Sequence, residues 1–134
     1  MSEKTVTVYL KPLLTTDEPS PLGTGQGPSP MQLLCALVGN CLVDSLLFTL
    51  RKFKQLPEPL TCMVVAEVGK DAERQIRVLN MAASLHLGVA GSQLEHWDRV
   101  LEQFESVCTV TQSVRQSIPI AITVYDAAGG CLKR

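Results

Sequence analysis

Aromatic and basic residues are scarce in this chain of 134 residues, which contains one Trp, two Tyr and three Phe. The formal net charge is −1, and the twelve Lys and Arg residues form no basic run. A nucleic-acid groove needs cations that follow the phosphates and aromatic rings that stack on the bases. The composition therefore predicts that nucleic acid is not a partner.

Histidine is also scarce, with two residues, and none of the five cysteines belongs to a C-x-x-C pair. Zinc sites in proteins are usually built from closely spaced cysteine and histidine ligands. We therefore expect no metal site, and no sequence motif indicates another cofactor.

The sequence also lacks a signal-peptide pattern, because Glu3 and Lys4 are followed by alternating residues and not by an apolar core. We therefore expect a cytoplasmic protein. Thiols are normally kept reduced in that compartment, so the cysteines are not expected to form a disulfide framework.

The most apolar segment covers residues 31–50, which is the length of a bilayer span. Asn40, Asp44 and Ser45 interrupt it, and an aspartate near the middle of an isolated span costs a few kcal/mol on insertion. We therefore predict a buried helix that begins at Pro30, and no membrane span. Because this helix is apolar nearly all round, a second copy of the chain would be needed to cover it, which predicts a homodimer.

The remaining elements follow from the spacing of apolar residues and from turn residues. Four strands are predicted, over residues 5–10, 61–68, 75–87 and 117–125. The apolar parity of the third strand changes, which indicates a bulge near Asn80. Ser92 and Glu95 match a capping box before a helix, and a further short helix ends near Arg115.

Two segments are expected to be irregular. Residues 12–30 contain prolines and glycines and are predicted to be an irregular connection. Residues 127–134 contain Gly129-Gly130 and are predicted to be a flexible tail. The order of strand, long helix, hairpin, helices and strand predicts a single α+β domain over residues 1–134.

Thiols are the reactive groups that stand out. Cys35 and Cys41 are separated by about 240° around a helix, so they cannot share a face. A single cysteine is more often an inert core residue than a nucleophile, and we expect Cys35 and Cys62 to be buried and unreactive. Cys108 lies at a predicted helix junction, where a helix N-terminus would lower the pKa of its thiol. Alternatively, Cys108 only ends the apolar stripe of the preceding helix.

Two segments, PSPMQLLCALVGNC and SVCTVTQSVRQSIPIAITV, resemble the OsmC/Ohr family of thiol-dependent peroxidases, and the resemblance runs over residues 28–124. In that family a proline-led apolar helix carries the first cysteine. A second cysteine opens a segment with a basic residue before the final strand. Cys41, Cys108 and Arg115 fall on these positions. The resemblance implies an intertwined homodimer, in which a long central helix from each chain is wrapped by antiparallel sheet.

The resemblance also implies a function, that of a cysteine-based (hydro)peroxide reductase with a two-cysteine thiol/disulfide cycle. Cys41 would be the peroxidatic cysteine and Cys108 the resolving one, and an external dithiol would reduce their disulfide. One alternative is a weakly active or non-catalytic OsmC-like domain that binds a small apolar ligand or acts as a thiol sensor. The other is an interaction domain with inert cysteines.

The sequence departs from the family at two positions. Organic-hydroperoxide reductases in this family use an N-terminal arginine and a glutamate at the start of the cysteine helix, whereas no arginine precedes Arg51 and Met31 stands at the glutamate position, followed by Gln32. Lys11 could supply a positive charge, but not a guanidinium fork. Because an apolar helix interior raises a thiol pKa, the sequence predicts that Cys41 stays largely a thiol at neutral pH and that any activity is weak.

Overall fold

The computed structural model describes residues 5–8 and 14–133 of the chain. Contacts divide the chain into two units, Met1–Ala36 and Leu37–Arg134, which are described separately. The single domain that the sequence predicts over residues 1–134 stays a prediction.

The first unit contains a two-stranded antiparallel sheet of β1 (Thr5–Val8) and β2 (Leu14–Asp17). The second strand corrects the prediction that residues 12–30 are wholly irregular. It ends at the buried Asp17, whose carboxylate accepts hydrogen bonds from the backbone N–H groups of Glu18, Thr24 and Gln26 and from the Thr24 hydroxyl. The loop that follows is therefore organised around one carboxylate, and the backbone N–H donors also lower the pKa of Asp17.

The long helix α1 covers Pro30–Lys52, close to the predicted bounds. Ser29 and Gln32 form a reciprocal cap at its start: the Ser29 N–H donates to Gln32 Oε1 (2.9 Å), and the Gln32 N–H donates to Ser29 Oγ (3.2 Å). By length and composition α1 could cross a membrane. However, one side of it is fully buried in the protein, at Val38, Leu42, Leu46 and Leu50, which is typical of a core helix.

The second unit is built on a four-stranded sheet in the order β3-β4-β5-β6. Its strands are β3 (Thr61–Lys70), β4 (Ile76–His86), β5 (Ile120–Tyr125) and β6 (Cys131–Lys133). The prediction of an antiparallel sheet is wrong at one ladder, because β4 and β5 run parallel. The helices between these two strands form the crossover that returns the chain to the same end of the sheet.

The strand details confirm one prediction and correct another. Pairing passes from Glu67–Asn80 to Val68–Val78, so the predicted bulge near Asn80 is present, with Leu79 as the extra residue. The predicted flexible tail instead forms β6, which pairs with β5 after a turn. Asp126 stabilises that turn by accepting the N–H groups of Ala128 and Gly130. Pro119 lies directly before β5, which is an inner strand and not an edge strand.

Two short helices follow the hairpin. They are α2 (Trp97–Phe104) and α3 (Thr109–Arg115). The predicted capping box is wrong, because Ser92 belongs to a 3₁₀ turn and α2 begins after His96 in the left-handed conformation. Phe104 is fully buried, so α2 contributes directly to the core of the second unit.

Gly39 lies where α1 packs against β3. A Cβ atom at this position would lie 3.0 Å from Val64 Cγ2 and 3.6 Å from Cys62 Sγ. The first distance is tighter than ordinary van der Waals contact, so a larger residue here would press against the Val64 side chain.

Replacement of Gly39 by valine is expected to destabilise the protein by about 1–3 kcal/mol, because the added methyl groups would overpack the contact with Val64. Chemical denaturation would measure this change. In a Val64→Ala background the cost of Gly39→Val should shrink, since space has been made. Strictly additive costs in the two variants would contradict the proposed contact.

Candidate active site

The two predicted site cysteines lie in contact. Cys41 is half-buried in the middle of α1, and Cys108 is completely buried at the N-terminal cap of α3. Their Sγ atoms are 2.6 Å apart, with Cys108 donating a hydrogen bond to Cys41, and both are free thiols. Residues that are 67 positions apart in the sequence are therefore adjacent in the fold.

The turn between α2 and α3 places Cys108 at this contact. Its N–H donates to the Glu105 carbonyl (3.2 Å), and its own carbonyl accepts the N–H of Gln112 (3.0 Å) as the first turn of α3 begins. The backbone at Cys108 is extended, as is usual for a helix N-cap. The alternative that Cys108 merely ends the preceding helix is wrong, because α2 ends at Phe104.

Hydroxyl groups line the thiol pair. Thr111 is completely buried, and its Oγ1 lies 2.9 Å from Cys108 Sγ. The hydroxyl of Ser45, one helical turn beyond Cys41 on α1, lowers the pKa of both thiols. Thr49 continues this row by donating from Oγ1 to the Ser45 carbonyl (2.8 Å). A hydroxyl can donate to a thiolate, so this environment accommodates negative charge on sulfur.

The two thiols have opposite pKa shifts. Burial raises the pKa of Cys41, but hydrogen bonds from the Cys108 thiol, from the N–H groups of Val110 and Thr111 and from the Ser45 hydroxyl outweigh burial, so the pKa of Cys41 lies below its ordinary value. Burial and the hydrogen bond to Cys41 raise the pKa of Cys108. Cys41 is therefore the thiol that ionises first, and Cys108 retains its proton.

The direction of the shift at Cys41 corrects the expectation that an apolar helix raises the pKa of this thiol. The donors that lower the pKa come mainly from the start of α3, which is remote in sequence from α1. The sequence of α1 alone indicates the burial of Cys41 but not these donors.

The other cysteines differ from this pair. Burial raises the pKa of Cys35, and it raises the pKa of Cys62 to about 11. Both side chains are half-buried, whereas full burial was expected. Cys131 is exposed on β6. Neither Cys35 nor Cys62 has the set of donors that favours a thiolate at Cys41.

Arg115, the basic residue that the family resemblance indicated, contacts groups other than the two thiols. Its guanidinium pairs with the Glu105 carboxylate (Nη1 to Oε2, 3.2 Å) and donates to the Ile120 carbonyl (2.8 Å). Gln32 caps α1, while Lys11 lies outside the described residues. Ser45, Thr111 and Glu105 were not predicted as site residues, since hydroxyl groups and single carboxylates have no distinctive spacing in the sequence.

The described ranges, 5–8 and 14–133, contain no cluster of three or more His, Cys, Asp or Glu side chains that could hold a metal ion. The site itself consists of two thiols of unequal acidity in direct contact.

Removal of a hydrogen-bond donor should raise the pKa of Cys41. We expect Cys108→Ala and Ser45→Ala each to shift the pH profile of Cys41 alkylation by iodoacetamide to higher pH, with modification located by peptide mass spectrometry. Ser106→Ala is a matched control, because Ser106 is exposed and bonds only the Gln103 carbonyl. A profile that is the same in all four proteins would show that these donors do not stabilise the thiolate.

Comparisons with known proteins agree with this architecture. The chain matches the model of the family described as OsmC-like protein over residues 23–123. A search of curated proteins finds no match. Solved structures match along nearly the whole chain, and 37 chains are similar at a significant level.

Three of these structures illustrate the likeness. An organic hydroperoxide resistance protein OsmC from Legionella pneumophila is 15% identical with a TM-score of 0.65, covering 92% of this chain and 96% of that one. An OsmC-like protein of unknown function from Vibrio cholerae is 12% identical with a TM-score of 0.70, covering 92% and 99%. The organic hydroperoxide resistance protein OhrB of Bacillus subtilis is 12% identical with a TM-score of 0.64, covering 92% and 98%.

At these identities the solved structures establish the fold and not the activity. The family model, in contrast, covers most of the chain, including both Cys41 and Cys108. This chain is a member of the OsmC-like protein family.

Proposed function

We propose that this protein is a two-cysteine peroxide reductase, in which Cys41 is oxidised by the peroxide and Cys108 resolves the product. The main support is the 2.6 Å separation of the two sulfurs, together with the lowered pKa of Cys41 and the raised pKa of Cys108. The cysteine that attacks the peroxide must react as a thiolate, and the thiol that ionises first is suited to that role. The partner that stays protonated is suited to the later resolving step.

In the first step the Cys41 thiolate attacks the terminal oxygen of a hydroperoxide ROOH. The O–O bond breaks, Cys41 becomes a sulfenic acid, and the alkoxide leaves as an alcohol after it takes up a proton. The hydroxyl of Ser45 and the N–H groups of Val110 and Thr111 favour the charged form of the attacking sulfur before the reaction. These neutral donors do part of the work that an arginine does in other family members.

In the second step the Cys108 sulfur attacks the Cys41 sulfur. The S–O bond breaks, the hydroxide leaves as water with the proton from Cys108, and a Cys41–Cys108 disulfide forms. Because the sulfurs begin in contact, this step needs little movement of the backbone. An external dithiol then reduces the disulfide by thiol–disulfide exchange and restores both thiols.

The substrate class that we propose is an organic hydroperoxide. Leu37 lies one helical turn before Cys41, Val107 directly precedes Cys108, and both apolar side chains are exposed. Such surroundings favour an oxidant with an apolar tail over one without. Two of the similar structures are named as organic hydroperoxide resistance proteins.

We also propose that the working form is a cytoplasmic homodimer. In the second unit, large apolar side chains are exposed on α1 at Leu37 and Phe48 and on β3 at Met63 and Val65. Isolated exposed apolar residues are ordinary, but several on neighbouring elements favour an interface. A second copy would bury them in an interface of roughly 2,000 Å² or more in total.

A thiol sensor within the same family is the second candidate, and the complete burial of Cys108 favours it. A disulfide with one inaccessible sulfur would be re-reduced slowly by a bulky reductant. Such a protein would react once with a peroxide and then persist in the oxidised state.

The deciding experiment is peroxide consumption by the purified protein with cumene hydroperoxide and dithiothreitol. Consumption of many equivalents per chain is expected, with a slower rate for hydrogen peroxide. Consumption that stops at one equivalent, with a lasting Cys41–Cys108 disulfide, would favour the sensor. Peroxide treatment that leaves the native thiol count unchanged would refute both candidates.

A further inference from the structure

Glu105 connects the turn that carries Cys108 to distant parts of the second unit. Its carbonyl accepts the N–H of Cys108 (3.2 Å) and Nε2 of Gln112 (2.9 Å). Its carboxylate contacts Arg115 Nη1 through one oxygen (3.2 Å) and Lys133 Nζ through the other. One residue therefore holds the turn by its backbone and is itself held by two cations.

These contacts are sheltered, since the side chain of Glu105 is 18% exposed and that of Lys133 is 24% exposed. The Lys133 ammonium also lies over the ring of the buried Phe104, 5.6 Å from its centroid. Arg115 reaches in the other direction to the carbonyl of Ile120 (2.8 Å). The end of α3, the start of β5 and the strand β6 thus converge on the turn through Glu105.

We propose that Glu105, held by Arg115 and Lys133, is a positioning residue that fixes Cys108 against Cys41 for disulfide formation. This inference rests on the proposed two-cysteine function and adds a role for β6. Two thiols held in bonding position have a high effective concentration, and a small displacement of either lowers it sharply. Neither cation contacts a sulfur, so the network acts on the thiol pair only through the placement of Cys108.

The test is the equilibrium between the dithiol and the Cys41–Cys108 disulfide of the full chain in glutathione redox buffers. In this reaction two protein thiols are oxidised and one glutathione disulfide is reduced to two glutathiones. Glu105→Gln, which keeps the shape and the carbonyl but loses the charge, is expected to lower the equilibrium constant about tenfold. That change raises the reduction potential by about 30 mV.

Lys133→Met provides a second, milder variant, and we expect a smaller decrease with it. The double variant should be no worse than Glu105→Gln alone, because both changes remove the same contact. The matched control is Glu58→Gln, which removes the carboxylate of the exposed Arg51–Glu58 pair, away from the turn. The pH profile of Cys41 alkylation should move to higher pH in Glu105→Gln, because the displaced Cys108 thiol is one of the donors to Cys41, and it should be unchanged in Glu58→Gln.

The outcomes separate this inference from the proposed function. A wild-type chain that forms no Cys41–Cys108 disulfide in any buffer would refute both. If the wild type forms the disulfide, and folded Lys133→Met and Glu105→Gln have the same reduction potential as the wild type, only the positioning role is overturned. If Glu105→Gln does not fold, Lys133→Met alone decides, and a potential equal to that of Glu58→Gln counts against the proposal.

Discussion

Replacement of Cys41 by serine is expected to reduce peroxide turnover by roughly three orders of magnitude or more, because a serine hydroxyl remains protonated and is a poor nucleophile toward an O–O bond. Replacement of Cys108 by serine should have a different outcome. Cys41 would still be oxidised once, but no disulfide could form with the partner thiol. The measurement is the number of peroxide equivalents consumed per chain with dithiothreitol present, followed in time from the first turnover.

Matched controls are available among the other cysteines. Cys131→Ser and Cys62→Ser should retain wild-type turnover, since Cys131 is exposed on β6 and burial raises the pKa of Cys62 to about 11. Loss of turnover in Cys62→Ser with Cys41→Ser still active would reverse the assignment of the nucleophile. Full multiple turnover in Cys108→Ser would show that an external thiol, and not Cys108, resolves the sulfenic acid.

A charge placed on the exposed face of α1 should convert the proposed dimer to a monomer. Phe48 is 67% exposed in the single chain, and lysine at this position would have to lose its hydration inside an interface. We expect sedimentation to find two associated chains for the wild type and one chain for Phe48→Lys at micromolar concentration. Helical content should stay the same, because Phe48 contributes little to the core of its own chain.

Ile76→Lys is the control for a general effect of added charge. Ile76 is also exposed, but it begins β4 at the tip of the hairpin and lies off the helix. It should leave the association unchanged. A wild-type protein that sediments as a single chain at micromolar concentration would refute the dimer directly, and with it the need for a second copy to cover α1.

The sequence was most informative for elements whose form depends on their own residues and not on a distant partner. The apolar residues around α1 and Pro30 at its first position predicted a helix that the structure places over Pro30–Lys52. The change of parity near Asn80 predicted the bulge at Leu79. Predictions were poorer where a segment depends on a partner strand. The tail with Gly129-Gly130 looked unstructured, yet residues 131–133 pair with β5.

By itself the sequence determined the α+β class, the family and the two cysteines, because these follow from local periodicity and from motifs of contiguous residues. Only the tertiary structure decided how Cys41 and Cys108 meet, which thiol ionises first and what holds the turn between α2 and α3. The reason is physical: a thiol pKa depends on the burial and donors around the sulfur, and here the donors come from a helix that is remote in sequence. Likewise the ion pairs of Glu105 join residues from α3 and β6, which no local pattern brings together.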